Sequence, residues 1–181
     1  MPPTDMHVHD DETLLERARS GDREAFAEIV RRHQRAALRV AAVVCGSTEE
    51  AGDIVQDGFV AAHRSLHAYR GDGSVRSWLL RIVANHARNH LRGRARRLRR
   101  DDRYAGLSLR DCGDGPDDAV VRNDEHDAVA AALAWLGTDD RAVLGCRFVA
   151  GLSELETAEV LGVPVGTVKS RTARALARLR V

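Results

Sequence analysis

The chain is 181 residues long, with 28 Lys+Arg against 27 Asp+Glu, a formal net charge of +1 and 4% aromatic residues. That length holds one medium or two small domains and excludes a large enzyme. Cys45, Cys112 and Cys146 are odd in number and widely spaced, which argues against a disulfide framework and fits a reducing cytoplasm. The apolar run Val40 to Cys45 is too short to span a bilayer. The first dozen residues are acidic and His-bearing, without a basic-then-apolar signal pattern. The expectation is a soluble cytoplasmic protein with no membrane insertion.

The near-zero charge hides segregation. Arg88 to Arg103 holds eight Arg against two Asp, Asp111 to Asp127 holds seven acids against one Arg, and the last twelve residues are basic again. Strand signals are nearly absent and helical periodicity dominates, so the fold class is all-α. A first helix begins at Thr13 and breaks at Ser20-Gly21-Asp22, with Asp22 placed to cap the next. Phe26, Ile29, Val30, His33, Ala37, Val40 and Val44 then recur every three or four residues. Gly46-Ser47-Thr48 ends that helix and supplies a cap for a third, whose buried stripe is Ala51, Ile54, Val55, Phe59, Ala62 and Leu66. Gly71-Asp72-Gly73-Ser74 is a turn, and Ser74 caps a helix from Val75 to about Arg97. These four helices form a module over residues 10–97.

Residues 98–123 lose the period and read as a flexible, increasingly acidic linker. Helicity resumes near Asp124 with Val129, Leu133, Leu136, Val143, Leu144 and Phe148, and Gly151 stops it. The last module, residues 124–181, closes with a helix-turn-helix. Counting Glu154 as first, Ala158 is fifth, Gly162 ninth and Val168 fifteenth. Ala158 is small where two helices pass closely. Gly162 supplies a left-handed turn, and Pro164 suits the start of the second helix. Ser153 caps the first. The architecture is therefore two small helical domains joined by a linker, without internal repeats.

Two helices carry the chemistry. The last bears Lys169, Arg171, Arg174, Arg178 and Arg180 with no acid, a composition suited to lying along nucleic acid. The helix from Val75 opens with Trp78 and then shows Asn85, Arg88, Asn89, Arg92 and Arg96 at helical spacing. Amide and basic side chains on one face can meet base edges and phosphates. Trp78 beside a Gly-rich loop can support a pocket for an unstacked base, although a core Trp is the simpler reading. His63 with His67, and His86 with His90, have a spacing able to bind zinc, but ordinary surface or DNA-facing histidines are favoured. Cys45 and Cys146 fall in apolar stripes, as buried thiols do. No phosphate-binding Gly loop, nucleophile elbow or paired catalytic carboxylate is present, so neither an enzyme nor a cofactor is expected.

Three stretches in register resemble the bacterial RNA polymerase sigma factors of the extracytoplasmic-function (ECF) group, in the sigma-70 family. They are Asp53-Ile54-Val55-Gln56-Asp57-Gly58-Phe59, then Tyr69 to Ile82 with Asn85 and Asn89, and Pro164-Val165-Gly166-Thr167-Val168-Lys169-Ser170-Arg171. The match in order and spacing runs from about Leu14 to Leu179. The resemblance implies a factor that binds core polymerase, directs promoter-specific initiation and helps open the duplex. Asp53, Gln56 and Asp57 would dock on the clamp of the largest polymerase subunit. Gly71, Asp72, Gly73 and Ser74, with Trp78 and Asn85, would capture a flipped −10 base, and Arg88, Asn89 and Arg92 would follow the strand. Thr167, Lys169, Ser170, Arg171, Ala173 and Arg174 would face the −35 groove. The linker would thread toward the active cleft. An anti-sigma factor is a further partner that the family allows.

Gly52, Asp57, Tyr69, Thr157 and Gly137-Thr138 depart from the common pattern, and Thr157 in place of Ile would loosen the helix-turn-helix core. The rival is a dimeric helix-turn-helix repressor or activator without sigma activity. It accounts for the C-terminus but not for the loop, Trp78 and the Arg-bearing helix upstream. On a tether alone, the two nucleic-acid surfaces are expected to be unaligned.

Overall fold

Each helix of the N-terminal module begins where the sequence supplies an oxygen for its first free N–H groups. In the computed structural model, which describes residues 10–71, 73–105 and 136–179, Asp10 Oδ1 accepts from Thr13 N at 2.7 Å and opens α1 (Asp11–Arg19). Asp22 accepts from Ala25 N at 3.1 Å and opens α2 (Arg23–Cys45), as the sequence predicts. Ser47 caps α3 (Thr48–Arg64) by accepting from Glu50 N at 3.3 Å. After a 3-10 turn, Leu66–Ala68, Ser74 accepts from Ser77 N at 3.1 Å at the start of α4 (Val75–Ala105). Each such oxygen contributes about 1 kcal/mol.

Helix α4 runs to Ala105, into the stretch read as linker. The reason is compositional: Ala, Arg and Leu are good helix formers, and no Gly or Pro interrupts residues 94–105. Asp72, Cys112, Val129, Leu133 and Arg180, and the linker beyond Ala105, lie outside the described residues.

Helices α2, α3 and α4 pack on one another, and α1 lies against α2 and α4. Helix α3 passes close to α4 at Gly58, where a Cβ would stand 2.9 Å from Val83 Cγ2 and force that buried side chain to shift. One core gathers Leu14, Leu15, Ile29, Leu66, Val75 and Leu79, all buried.

Among the described residues the first helix of the C-terminal module is α5 (Thr138–Leu144), which widens into a π-helical turn, Gly145–Val149. Gly151, with φ +67°, turns the chain. Ser153 and Glu156 then form a reciprocal capping box on α6 (Glu154–Leu161), with Ser153 N donating to Glu156 Oε2 at 2.8 Å. Gly162, with φ +66°, makes the left-handed corner before α7 (Val165–Leu179). The helix-turn-helix is present at the predicted spacing. Thr157 is buried, and its hydroxyl has no hydrogen-bond partner among the described residues.

The two modules lie against each other. A second core is continuous across them, from Val40 and Val44 of α2 and Val83 of α4 to Val143, Cys146 and Val160 of the C-terminal module. Gly145 faces α2 so closely that a Cβ there would stand 1.8 Å from Val43 Cγ1. Thus the two surfaces expected to be unaligned on a tether are held in a definite relation here.

Candidate nucleic-acid interface

Helix α7 is amphipathic in the sense a groove-reading helix requires. Val168 and Ala175 are fully buried, and they fix which side turns outward. Lys169, Ser170, Ala173 and Arg174 then form an exposed stripe, with Thr167 half-buried at its start. Ser170 Oγ donates to Thr167 O at 3.1 Å, and Lys169 lies 3.7 Å from Glu154. Arg171 sits differently. Its Nη2 is 2.8 Å from Asp139 Oδ2, and only 26% of the side chain is exposed. Arg178 meets the buried Asp140 at 3.2 Å. The adjacent acids Asp139 and Asp140 open α5 and brace two arginines of α7. No local sequence pattern marks them as partners of these arginines.

The second face lies on α4 and the loop before it. Gly71 and Gly73 have φ of +81° and +99°, a conformation that a side chain resists. Tyr69 hydroxyl donates to Gly73 O at 2.6 Å and pins the loop. Arg19 of α1 donates to the carbonyls of Leu66 and Tyr69, steadying the same segment from a helix that sequence reasoning did not connect to it. Trp78 is half-buried against the first core, edge-on to Tyr69 at 5.5 Å between ring centres. It therefore serves the core while lying next to the loop.

Asn85, Asn89 and Arg92 are exposed along α4, and Arg88 is half-buried among them. Arg88 donates to Asn85 Oδ1 at 3.1 Å and to Leu161 O at 2.8 Å. Burial lowers the Arg88 pKa below its ordinary value, an effect of placing a guanidinium under the C-terminal module. Asp53, Gln56 and Asp57 are exposed on one side of α3. Gln56 borders an open apolar groove between α2 and α3, lined by Phe26, Val30, Leu38, Phe59 and Val60.

The histidines have simpler neighbours. His63 is edge-on to Phe26 at 4.9 Å, and His90 lies 3.4 Å from Glu50, whose carboxylate also faces Arg94 at 3.7 Å. Cys45 and Cys146 are buried, and burial pushes the Cys146 thiol up to about 12.

Residues 29–97 match Sigma-70 region 2, and residues 132–181 match Sigma-70, region 4. The ECF RNA polymerase sigma factor SigM of Mycobacterium tuberculosis is 38% identical over 173 residues, which is 96% of this chain and 84% of that protein. The chain belongs to the ECF RNA polymerase sigma factors. The ECF RNA polymerase sigma-E factor of Escherichia coli is 32% identical over 91% of this chain and 90% of its own. The solved structure of CnrH in complex with the cytosolic domain of CnrY is similar with a TM-score of 0.69, at 33% identity and covering 94% of each chain.

As a sigma factor, the chain binds core RNA polymerase and promoter DNA and directs transcription initiation. A dimeric repressor would leave the region 2 match unexplained. Sigma factors are not known as enzymes, and no helix among the described residues is long and apolar enough to cross a membrane.

Proposed function

We propose that promoter reading is divided between the modules 10–97 and 124–181, with 98–123 as the connection. The outward stripe of α7, Lys169, Ser170, Ala173 and Arg174 with Thr167, reads the −35 duplex, and Arg171 contributes from its place beside Asp139. Gly71, Asp72, Gly73 and Ser74 with Asn85 hold an extruded −10 base, Trp78 supports them, and Arg88, Asn89 and Arg92 follow the strand. Asp53, Gln56 and Asp57 dock on the polymerase clamp. The factor itself makes and breaks no bonds and works in the cytoplasm. An anti-sigma protein partner is proposed too, on the likeness to CnrH, which was solved with the cytosolic domain of CnrY.

The observation that carries this reading is the pairing of two polar faces on separate modules. One stands behind the left-handed Gly162 corner, and one stands behind the positive-φ loop at Gly71 and Gly73. The test is Asn85→Ala in reconstituted holoenzyme. Open-complex formation should fall on duplex promoter, and a pre-melted −10 segment should restore part of it, because unstacking costs a few kcal/mol that such a template no longer demands. An equal defect on both templates would refute base capture.

A further inference from the structure

The cations along α7 are held in different ways. Arg174 is exposed, with no ion pair among the described residues. Lys169 lies 3.7 Å from Glu154, but both side chains stand well in solvent, where such a pair contributes little. Arg171 is closer to its acid, with Nη2 2.8 Å from Asp139 Oδ2, and its side chain is only 26% exposed while that of Asp139 is 73% exposed. Arg171 follows Thr167 by four residues and precedes Arg174 by three, so it borders the same side of the helix. The neighbouring Asp140 is buried against Arg178 and serves the packing of α5 on α7. Asp139 instead stands open beside a face that meets DNA, where phosphates repel a carboxylate. A charge placed against the ligand in this way is a means of selectivity rather than of affinity.

We propose that Asp139 is a positioning residue for −35 readout, holding Arg171 so that its guanidinium meets one base pair rather than the nearest phosphate. The proposal rests on the −35 assignment of α7. An arginine presents its N–H donors in a rigid, planar fork. Asp139 approaches through Nη2, which leaves the Nε and Nη1 donors for the two acceptors that a guanine shows in the major groove. The carboxylate also offsets the charge of Arg171, so the pair contributes little to counterion release when DNA binds. Freed from Asp139, the long side chain swings to a phosphate and strengthens binding to every sequence alike. Selectivity at that base pair thus depends on a contact made inside the protein.

The test uses holoenzymes reconstituted with the full chain, on a promoter mapped for this chain whose −35 base pairs are replaced one at a time. Asp139→Asn keeps the shape and removes the charge, and circular dichroism registers any loss of helix stability separately. With the parent, replacing the G·C pair read by Arg171 should weaken binding about tenfold. With Asp139→Asn that penalty should shrink to within about twofold, and affinity for an unrelated duplex should rise a few-fold. The salt slope should steepen by about 0.9, the value of one phosphate contact on B-DNA. Asp139→Glu should restore selectivity, and in an Arg171→Ala background Asp139→Asn should change neither penalty nor slope. A folded Asp139→Asn variant with the parent's penalties and slope overturns the proposal, as do effects that persist without Arg171 or a parent indifferent to every G·C pair of the element. Lys169→Ala with Arg174→Ala tests the underlying assignment. If that double variant binds the promoter as the parent does, α7 is off the −35 duplex and the proposal falls with that reading. If it binds more weakly while Asp139→Asn changes nothing, the positioning role alone is overturned.

Discussion

The two modules bury their apolar surface in different ways. The N-terminal module closes a core of its own around Leu15, Ile29 and Leu79. Among the described residues, the C-terminal module has a separate cluster of Leu136, Leu144 and Ala175, and its other buried residues, including Val143, Val160 and Val168, belong to a core continuous with α2 and α4. A small helical unit has little interior relative to its surface, and leaning on a neighbour supplies the difference. The first module thus serves as a scaffold, and the second, proposed above as the −35 reader, shares its packing surface.

Four measurements would break or sharpen that contrast. The largest effect is expected in the scaffold: Ile29→Ala should cost about 2–5 kcal/mol in chemical denaturation, by lost burial plus the cavity left behind. It should lower the stability of both modules together, and an unchanged C-terminal transition would end the idea of dependence. Next comes the reader's outer stripe. Arg174→Ala should cost about 1–3 kcal/mol of −35 duplex binding if it contacts a base edge, with circular dichroism unchanged. A loss that is nearly the same on unrelated duplexes, with a shallower salt slope, would reassign it to phosphate.

A smaller effect, of opposite sign, is expected inside the reader. Thr157→Val keeps the shape and removes a buried hydroxyl without a partner among the described residues, so stability should rise by about 1 kcal/mol, read as a higher Tm. A lower Tm would mean that the hydroxyl has a partner after all. The smallest effect concerns pH at the contact between the modules. Burial works against the Glu156 carboxylate, but Ser153, through its N–H and hydroxyl, and Arg76 outweigh it and hold the pKa below the ordinary 4.5. Its stabilisation is therefore fully present above pH 4.5 and is lost as pH falls through the lower folded value. The stability difference between parent and Glu156→Gln, followed by denaturation from about pH 6 to about pH 3, should shrink toward acid. A difference that grows toward acid would contradict the charge pairing.

Much of the candidate site was legible from residues three or four apart. Asp22, Ser47, Ser74 and Ser153 announced their helices because a cap acts within one turn. Val168, the fifteenth residue of the helix-turn-helix spacing, falls on the inner side of α7, while the outward stripe came from the family resemblance. The Arg171 pairing with Asp139 was not legible, since no pattern in the last helix points to an acid on α5. Nor was the bracing of the Gly71–Gly73 loop by Arg19, whose carbonyl partner in Leu66 is 47 residues away.

The sequence by itself determined the all-α class, the helix starts, the left-handed corner at Gly162 and the family, because capping, glycine φ and motif spacing are local properties of the chain. Only the tertiary structure decided that the modules share a core and that α6 lies against α4. Arg76 meets Glu156 across 80 residues of chain and Arg88 meets Leu161 across 73. Such pairs arise when nonperiodic apolar patches close on each other, and the backbone carbonyl that Arg88 finds carries no residue identity for a sequence to display.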